Sequence, residues 1–322
     1  MTAEPSNPRP IRLGVSACLL GDHVRYDGGH KRDAYLLSLF GPFVEWVKVC
    51  PEVESGLTTP RESMRLVGDE GRLRMVTVKT GIDHTDVMTE YSHRRVKALA
   101  SEHLCGYVLK KDSPSCGMAR VKVYKGSGPP TKTGTGVFAA ALGERFPELP
   151  VEEEGRLADT HLRENFVERV FAYRRLVDLF DGRWTIGDLV RFHTAHKLVL
   201  MAHSVTAYTR LGRLVAQAKS LPRAALREDY CAAFMQALAV IATRQRHTNV
   251  LQHMLGYFKR TLDADSRGEL LGLIEGYRVG RQPLIAPVTL FRHHIRRLGV
   301  EYLAGQVYLD PHPAELMLRA QS

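Results

Sequence analysis

The segment Ile11-Arg-Leu-Gly-Val-Ser-Ala-Cys18-Leu-Leu-Gly21 is the clearest predictor of the fold in the first half of the chain. Its β-rich run, Ile11–Ala17, leads directly into a cysteine and a glycine turn. Similar short runs are predicted as strands at Phe43–Val49, Arg74–Val78 and Gly106–Leu109, and helical patterns lie between them at Lys31–Phe40 and Thr85–Glu102. This alternation is typical of an α/β domain with a largely parallel sheet and flanking helices.

The second half of the chain has a different pattern, in which apolar residues recur at helical spacing. The pattern is clearest over Phe166–Phe180, Leu189–Ala202 and Tyr230–Ile241. Two prolines, an acidic run and a glycine over 147–155 indicate a linker between the halves. The sequence therefore predicts a disordered tail over 1–10, an α/β domain over 11–149, a linker over 150–158 and an all-α domain over 159–322.

Length and composition narrow the class of protein. A chain of 322 residues is long enough for two domains, and 44% hydrophobic with 25% charged residues is an ordinary globular composition. No apolar run approaches the roughly 20 residues that cross a bilayer. The N-terminal sequence MTAEPSNPRP lacks the basic and apolar regions of a signal peptide. We therefore expect a cytoplasmic protein that does not associate with membranes.

Three of the five cysteines follow predicted strands. Cys18 and Cys50 come directly after two of them, and Cys116 lies in the turn beyond the strand Gly106–Leu109. The carboxyl ends of parallel strands share one edge of a sheet, where ligands bind, so these thiols could converge on one metal centre. Cys105 begins its strand and would lie at the opposite edge. Zinc prefers four ligands and a cubane iron–sulfur cluster usually has four cysteines, so spacing alone leaves zinc, a cluster with one open iron, and buried thiols without a ligand as alternatives.

Polar residues surround these cysteines. Glu52 is a carboxylate two residues beyond Cys50 and could transfer protons beside a metal. The segment before Cys116 offers two further hydroxyls, and the loops after the first two cysteines offer candidate substrate contacts. The residues in these last two groups are Ser113, Ser115, Tyr26, Asp27 and Arg61. The alternative role of the loop residues is loop architecture, because Asp-Gly-Gly is an ordinary turn signal.

The chain is basic, with a formal net charge of +10. Most of the excess lies in 191–260, where eleven Lys and Arg stand against two Asp and Glu. Such a patch indicates a polyanionic partner, most simply nucleic acid, or else a solvated basic face without a partner.

Five motifs in the first half occur together and in order. They are Val-Ser-Ala-Cys18-Leu-Leu-Gly, Val-Arg-Tyr26-Asp27-Gly-Gly, Val-Cys50-Pro-Glu52-Val, Thr-Pro-Arg61 and Ser113-Pro-Ser115-Cys116-Gly. Over about residues 11–145 the chain thereby resembles the thiouracil desulfidase family. The resemblance implies an oxygen-sensitive 4Fe–4S cluster bound by three cysteines, here Cys18, Cys50 and Cys116. It also implies Glu52 and Ser113 as catalytic residues.

The second half resembles a helical domain that is often fused to desulfidases. The residues that carry this resemblance include Lys197, Tyr208, Asn249, His253 and Tyr257. Proteins with both domains resemble bacterial enzymes that convert 4-thiouridine in transfer RNA to uridine with release of hydrosulfide. The basic excess fits a domain that binds RNA phosphates, and its candidate contacts are Lys197, Arg210, Arg213, Lys219, Arg244, Arg246, Lys259 and Arg260.

Two other functions remain open from the sequence. In the first, the substrate is free 2- or 4-thiouracil or a thionucleoside. In the second, which is a different class of protein, an iron–sulfur domain senses redox state and the basic helices bind nucleic acid as a regulator. A sensor needs no open iron, so its binding function would survive the loss of Glu52.

Overall fold

The computed structural model describes residues 10–69, 72–126 and 128–320, and the chain divides into two compact units between Ala158 and Asp159. Residues 1–9 of the predicted disordered tail lie outside the described part of the chain. Within the described part, no helix is long and apolar enough to cross a membrane.

The first unit contains eight strands and three α-helices among its described residues. In chain order these are β1 (Arg12–Ser16), β2 (Glu45–Val49), α1 (Pro51–Glu54), β3 (Met64–Val67), β4 (Arg74–Thr77), α2 (Thr85–Leu99), β5 (Leu104–Leu109), β6 (Val121–Tyr124), β7 (Thr131–Gly134), α3 (Val137–Arg145) and β8 (Val151–Glu153).

A four-stranded sheet of order β2-β1-β5-β8 forms the centre of this unit, and all its pairings are parallel. Strand β5 is buried along its whole length, as expected for a parallel strand that is covered on both faces. Gly14 of β1 lies opposite Tyr107 of β5, and a Cβ atom at Gly14 would lie 2.1 Å from the tyrosine ring. The glycine therefore makes room for a fully buried aromatic ring in the middle of the sheet.

A second sheet has the order β4-β3-β6-β7. Strands β3 and β6 are parallel, while β4 and β7 pair antiparallel at the two edges. The predicted strand at Arg74–Val78 is therefore real, but it belongs to this mixed sheet and not to the parallel one.

Two sequence predictions for this unit are wrong, namely the helix over Lys31–Phe40 and the linker over 150–158. The helix expected over Lys31–Phe40 is only a short π-helical segment over Tyr35–Phe40. Residues 31–33 instead bond to the turn around Cys18, because the Lys31 N–H donates to the Cys18 carbonyl at 2.9 Å.

The predicted linker over 150–158 contains strand β8, which pairs with β5. Its acidic residues tolerate burial because each carboxylate has a partner. Glu152 accepts from the Arg156 guanidinium at 2.6 Å, and Glu153 accepts from the Met118 N–H at 2.8 Å.

The second unit is all-α, which confirms the predicted class. Its helices are α4 (Thr160–Phe180), α5 (Ile186–His203), α6 (Val205–Ala216), α7 (Arg223–Ala239), α8 (Arg244–Gly256), α9 (Ala264–Arg278), α10 (Ile285–Leu298) and the short α11 (Glu301–Ala304). Thr185 and Asp188 form a reciprocal capping box at the start of α5. The core is aromatic and aliphatic, with Phe234, Phe258, Phe291 and Tyr308 fully buried.

A buried ion pair links α5 to α4 in this core. His203 Nε2 lies 3.1 Å from the Glu168 carboxylate, and His203 Nδ1 lies 2.6 Å from the Val240 carbonyl. Because both partners are acceptors, both ring nitrogens must donate, so the imidazole is protonated. Burial alone would lower the pKa of His203, but the Glu168 carboxylate and these hydrogen bonds raise it above its ordinary value.

We expect His203→Gln to destabilise the helical unit by about 3–5 kcal/mol at pH 6, because it leaves a buried carboxylate without its charged partner. A histidine whose pKa is raised by folding contributes fully below its ordinary pKa of about 6.5, and the contribution declines as pH rises through the raised pKa. The destabilisation should therefore be smaller at pH 9. Urea unfolding at both pH values measures it, with exposed His253→Gln as control. An equal loss at both pH values would show that the charge of His203 does not matter.

Candidate active site

Three free thiols line one cavity of about 320 Å³ at the carboxyl edge of the parallel sheet. Cys18 lies in the 3₁₀ turn Ala17–Leu20 after β1, and Cys50 caps α1 directly after β2. Cys116 lies in the loop that follows β5. Because β2, β1 and β5 are adjacent parallel strands, the sheet brings together three cysteines that are up to 98 residues apart in the sequence. Cys105 is the second residue of β5 and does not line this cavity.

The cavity changes the acidity of these thiols. Burial raises the pKa of Cys18 to about 11, and it raises the pKa values of Cys50 and Cys116 above the usual range as well. Such thiols are protonated at neutral pH and are poor nucleophiles. A bound metal centre would displace their protons and hold them as thiolates. The donor set therefore fits soft metal ligation better than nucleophilic catalysis.

Glu52 lies on the same cavity wall and is held from two sides. One carboxylate oxygen accepts from the Ser115 hydroxyl at 2.7 Å, and the other pairs with the Arg61 guanidinium. The Glu52 side chain is 14% exposed and that of Arg61 is 7% exposed. The carboxylate is thus fixed in orientation while it still reaches the cavity.

The two serines form a directional chain to this carboxylate. The Ser113 and Ser115 hydroxyl oxygens are 2.9 Å apart. A hydroxyl has one proton, and Ser115 donates its proton to Glu52, so Ser113 must donate to Ser115. Ser113 also accepts from the Cys116 N–H at 3.1 Å, which ties the chain to the third thiol. Ser113 therefore reaches Glu52 through Ser115.

Arg61 connects the loops around the cavity. Its guanidinium donates to the Val24 carbonyl at 3.1 Å, and its backbone N–H donates to the Tyr26 carbonyl at 2.8 Å. Tyr26 lines the cavity and is 43% exposed, so its ring is available to a ligand. Asp27 does not line the cavity, because its carboxylate accepts from the Gly29 N–H at 3.0 Å and closes its own turn.

Some side chains of the site were missed from the sequence. Lys110 directly follows β5 and lines the cavity, where its ammonium pairs with Glu154 and donates to the Lys111 carbonyl at 3.0 Å. A lysine pair directly after an apolar strand could have drawn attention to it. Glu54 fixes the backbone at Cys50, because its carboxylate accepts from the Cys50 N–H at 2.9 Å and from the Tyr91 hydroxyl at 2.5 Å.

Helix α3 fixes the loop that carries the serines and Cys116. The Phe138 and Ala139 N–H groups donate to the Ser115 carbonyl at 2.9 and 3.2 Å. Gly136 precedes the helix, and a Cβ atom there would lie 2.5 Å from the Ser115 carbonyl oxygen. Only glycine allows this approach of the two backbones.

We expect Gly136→Ala to destabilise the first unit by about 1–3 kcal/mol, because backbone atoms would have to move to admit a methyl group. Gly143 provides the matched control on the same helix, since nothing lies within 4 Å of a Cβ atom there. Alanine at 143 should stabilise by about 0.5–1 kcal/mol through helix propensity. Chemical denaturation of both variants measures the contrast, and a neutral Gly136→Ala would contradict the close packing.

The predicted RNA contacts of the helical unit divide into two groups. Arg244 and Arg246 make internal hydrogen bonds, to the Tyr277 carbonyl at 3.0 Å and to the His203 carbonyl at 2.8 Å. These two arginines therefore have structural partners within the unit. The other candidates lie at least partly exposed on α5, on α6 or in the segments that follow α6 and α8, namely Lys197, Arg210, Arg213, Lys219, Lys259 and Arg260.

Across the described residues, no group of three or more His, Cys, Asp or Glu side chains is arranged to hold a single metal ion.

The fold and the cavity define an α/β enzyme with a thiol-lined active site at the carboxyl edge of its sheet. Residues 13–154 match the sequence model of the 2-thiouracil desulfurase family, and residues 197–313 match that of a protein of unknown function, DUF1722. The chain belongs to the 2-thiouracil desulfurase family, and it is an enzyme of the class that removes sulfur from thiouracil.

Individual relatives cover about half of this chain each. The uncharacterised protein YbgA of Escherichia coli (strain K12) is 36% identical over 155 residues, which are 47% of this chain and 90% of that protein. The uncharacterised protein YbbK of Bacillus subtilis (strain 168) is 31% identical over 146 residues, 44% of this chain and 95% of that protein. The solved structure of the 4Fe–4S-dependent thiouracil desulfidase TudS is 32% identical, covers 46% of this chain and 93% of its own, and gives a TM-score of 0.38.

Proposed function

We propose that the protein is a transfer RNA desulfidase that converts 4-thiouridine to uridine and releases hydrosulfide. The observation that carries the chemistry is the convergence of three buried thiols, a fixed carboxylate and a serine chain on one cavity. The support for RNA as substrate is the basic excess of the helical half, much of which stays on its surface.

The three cysteines would hold an oxygen-sensitive 4Fe–4S cluster. Cys18, Cys50 and Cys116 come from three separate strand ends, so the fold itself presents them to one ligand. With three thiolates as its protein ligands, such a cluster would have one iron without a protein ligand and would supply a Lewis acid for the soft sulfur of the thiocarbonyl.

The side chains of the protein would orient the attacking water and transfer its protons. Glu52 accepts a proton from the water as its oxygen bonds to C4 of the base, and the C4–S bond then breaks. The electron pair of that bond leaves with the sulfur, which takes the second proton of the water and departs as hydrosulfide, so no net electron transfer is required. Ser113 orients the water, and the proton that Glu52 accepts is relayed from the water through Ser113 and Ser115. Arg61 keeps the carboxylate in place throughout.

Free thiouracil is the second candidate substrate, because the family description names the free base. The cavity of about 320 Å³ is at the small end of the range for ligand pockets, a size that suits a single base. The third hypothesis, a redox-sensing regulator, is set aside because the chain belongs to an enzyme family.

The deciding experiment measures the 4-thiouridine content of bulk transfer RNA before and after incubation with anaerobically reconstituted protein. A Cys50→Ala protein without cluster is the control. Loss of 4-thiouridine with a matching gain of uridine, absent in the control, supports the proposal. No loss with protein that contains iron and sulfide, together with turnover of 4-thiouracil, would replace RNA by the free base.

A further inference from the structure

A second groove of about 560 Å³ adjoins the active-site cavity within the first unit. The two share Met64, Lys111, Asp112 and Pro114 as lining residues. The groove is strongly basic, with six cationic side chains against the carboxylates of Asp112 and Glu153. The six are Arg65, Lys111, Arg120, Lys122, Lys132 and Arg156.

The mixed sheet places several of these charges side by side. Lys122 of β6 and Lys132 of β7 are direct cross-strand partners, and Arg65 lies on the neighbouring strand β3. The Arg65 guanidinium lies 4.9 Å from the centre of the Tyr124 ring, which fixes it on the same surface. Like charges directly opposite each other destabilise a sheet, so this arrangement has a cost in the free protein.

The carboxylates of the described residues leave part of this positive charge without a partner. Lys111 pairs with Asp112 at 3.9 Å and Arg156 with Glu152 at 2.6 Å, but Arg120, Lys122 and Lys132 form no salt bridge with a described residue. Glu153 is buried and directs its carboxylate to the Met118 N–H. As far as the described residues go, Arg65, Lys122 and Lys132 therefore carry unpaired positive charge on three adjacent strands, which span about 10 Å at roughly 5 Å per strand.

We infer that this groove binds the backbone phosphates of the RNA strand whose thiolated base enters the adjoining cavity, an inference that rests on the proposed function. Arg65, Lys122 and Lys132 are the phosphate contacts. A free base carries no phosphate that could pair with these cations. The phosphates of a polynucleotide would neutralise their mutual repulsion, with release of counterions. The groove thus assigns part of the RNA contact to the catalytic unit, where the sequence analysis selected no basic residues for RNA binding.

The test is the double variant Lys122→Gln/Lys132→Gln in the full chain, beside Lys97→Gln, an exposed lysine on α2 outside the groove. Binding of transfer RNA is measured by fluorescence anisotropy over a range of salt concentrations. We expect the Kd to rise about tenfold and the slope of log Kd against log salt to fall by about two. Lys122→Arg/Lys132→Arg should restore both, and Lys97→Gln should change neither.

Turnover of three substrates separates the possible outcomes. The KM for transfer RNA should rise in the glutamine variant, while kcat/KM for 4-thiouracil and for 4-thiouridine monophosphate stays within about twofold. An unchanged Kd and salt slope in the glutamine variant would overturn the inference. A fall in kcat/KM for 4-thiouracil as large as that for transfer RNA would overturn it as well. An equal rise in KM for the mononucleotide would replace the RNA strand by a single phosphate. If the wild-type protein binds RNA through the groove but does not desulfurate it, the proposed function fails while the groove stands.

Discussion

Replacement of Glu52 by glutamine is expected to lower turnover of a thiolated substrate by about 10²–10⁴-fold, the range for loss of a general base. Glutamine keeps the shape of the side chain and can accept the hydrogen bond from Ser115, but it cannot take up a proton from water. It also loses the ion pair with Arg61. The substrate can still enter, so the effect should fall on kcat more than on KM.

Two measurements separate this loss of chemistry from loss of the site. Iron and acid-labile sulfide should remain at wild-type levels in Glu52→Gln, because Glu52 does not supply a thiol. Glu90→Gln is the matched control, since Glu90 is an exposed carboxylate on α2 outside the cavity. Wild-type turnover by Glu52→Gln would assign the proton transfer to another group. If a variant with Glu52→Gln and with both Ser113 and Ser115 replaced by alanine kept full activity, the serine–glutamate relay would have no part in the mechanism.

The sequence predicts the parallel sheet and its three cysteines because both depend on local patterns. A cysteine that follows a β-rich run lies beyond the carboxyl end of that strand, and strands that pair in parallel share this edge. The short strands are less visible. The Thr131–Gly134 strand is polar, and Val151–Glu153 has only three residues, two of them acidic. Their pairing is decided by tertiary contacts, which no sequence window contains.

The same distinction applies to the site. Glu52 could be selected because it adjoins Cys50, whereas Lys110 and Glu54 gain their importance from partners 37 or more residues away. For Asp27 the structure shows the alternative role that the sequence left open, because its carboxylate closes its own turn. The basic groove is assembled from lysines that look like ordinary surface residues until the register sets Lys122 beside Lys132.

Replacement of any one of Cys18, Cys50 or Cys116 by alanine is expected to remove the iron–sulfur cluster and with it all measurable desulfidation. A cluster held by three thiolates has no spare protein ligand, and the described residues around the cavity offer no fourth cysteine. Each thiol is supplied by a different strand end, so the backbone cannot bring another one into place. The expected observations are loss of the charge-transfer absorbance of the reconstituted protein and of stoichiometric iron and sulfide.

The remaining two cysteines provide the matched controls. Cys105 is buried within β5 away from the cavity, and Cys231 lies on α7 of the helical unit. Cys105→Ala should cost some stability through the lost packing, but it should bind iron and sulfide like the wild-type protein, as should Cys231→Ser. Retention of a full cluster by a variant at Cys18, Cys50 or Cys116 would exclude that residue as a ligand. Loss of the cluster from Cys105→Ala in folded protein would mean that the sheet edge does not define the ligand set.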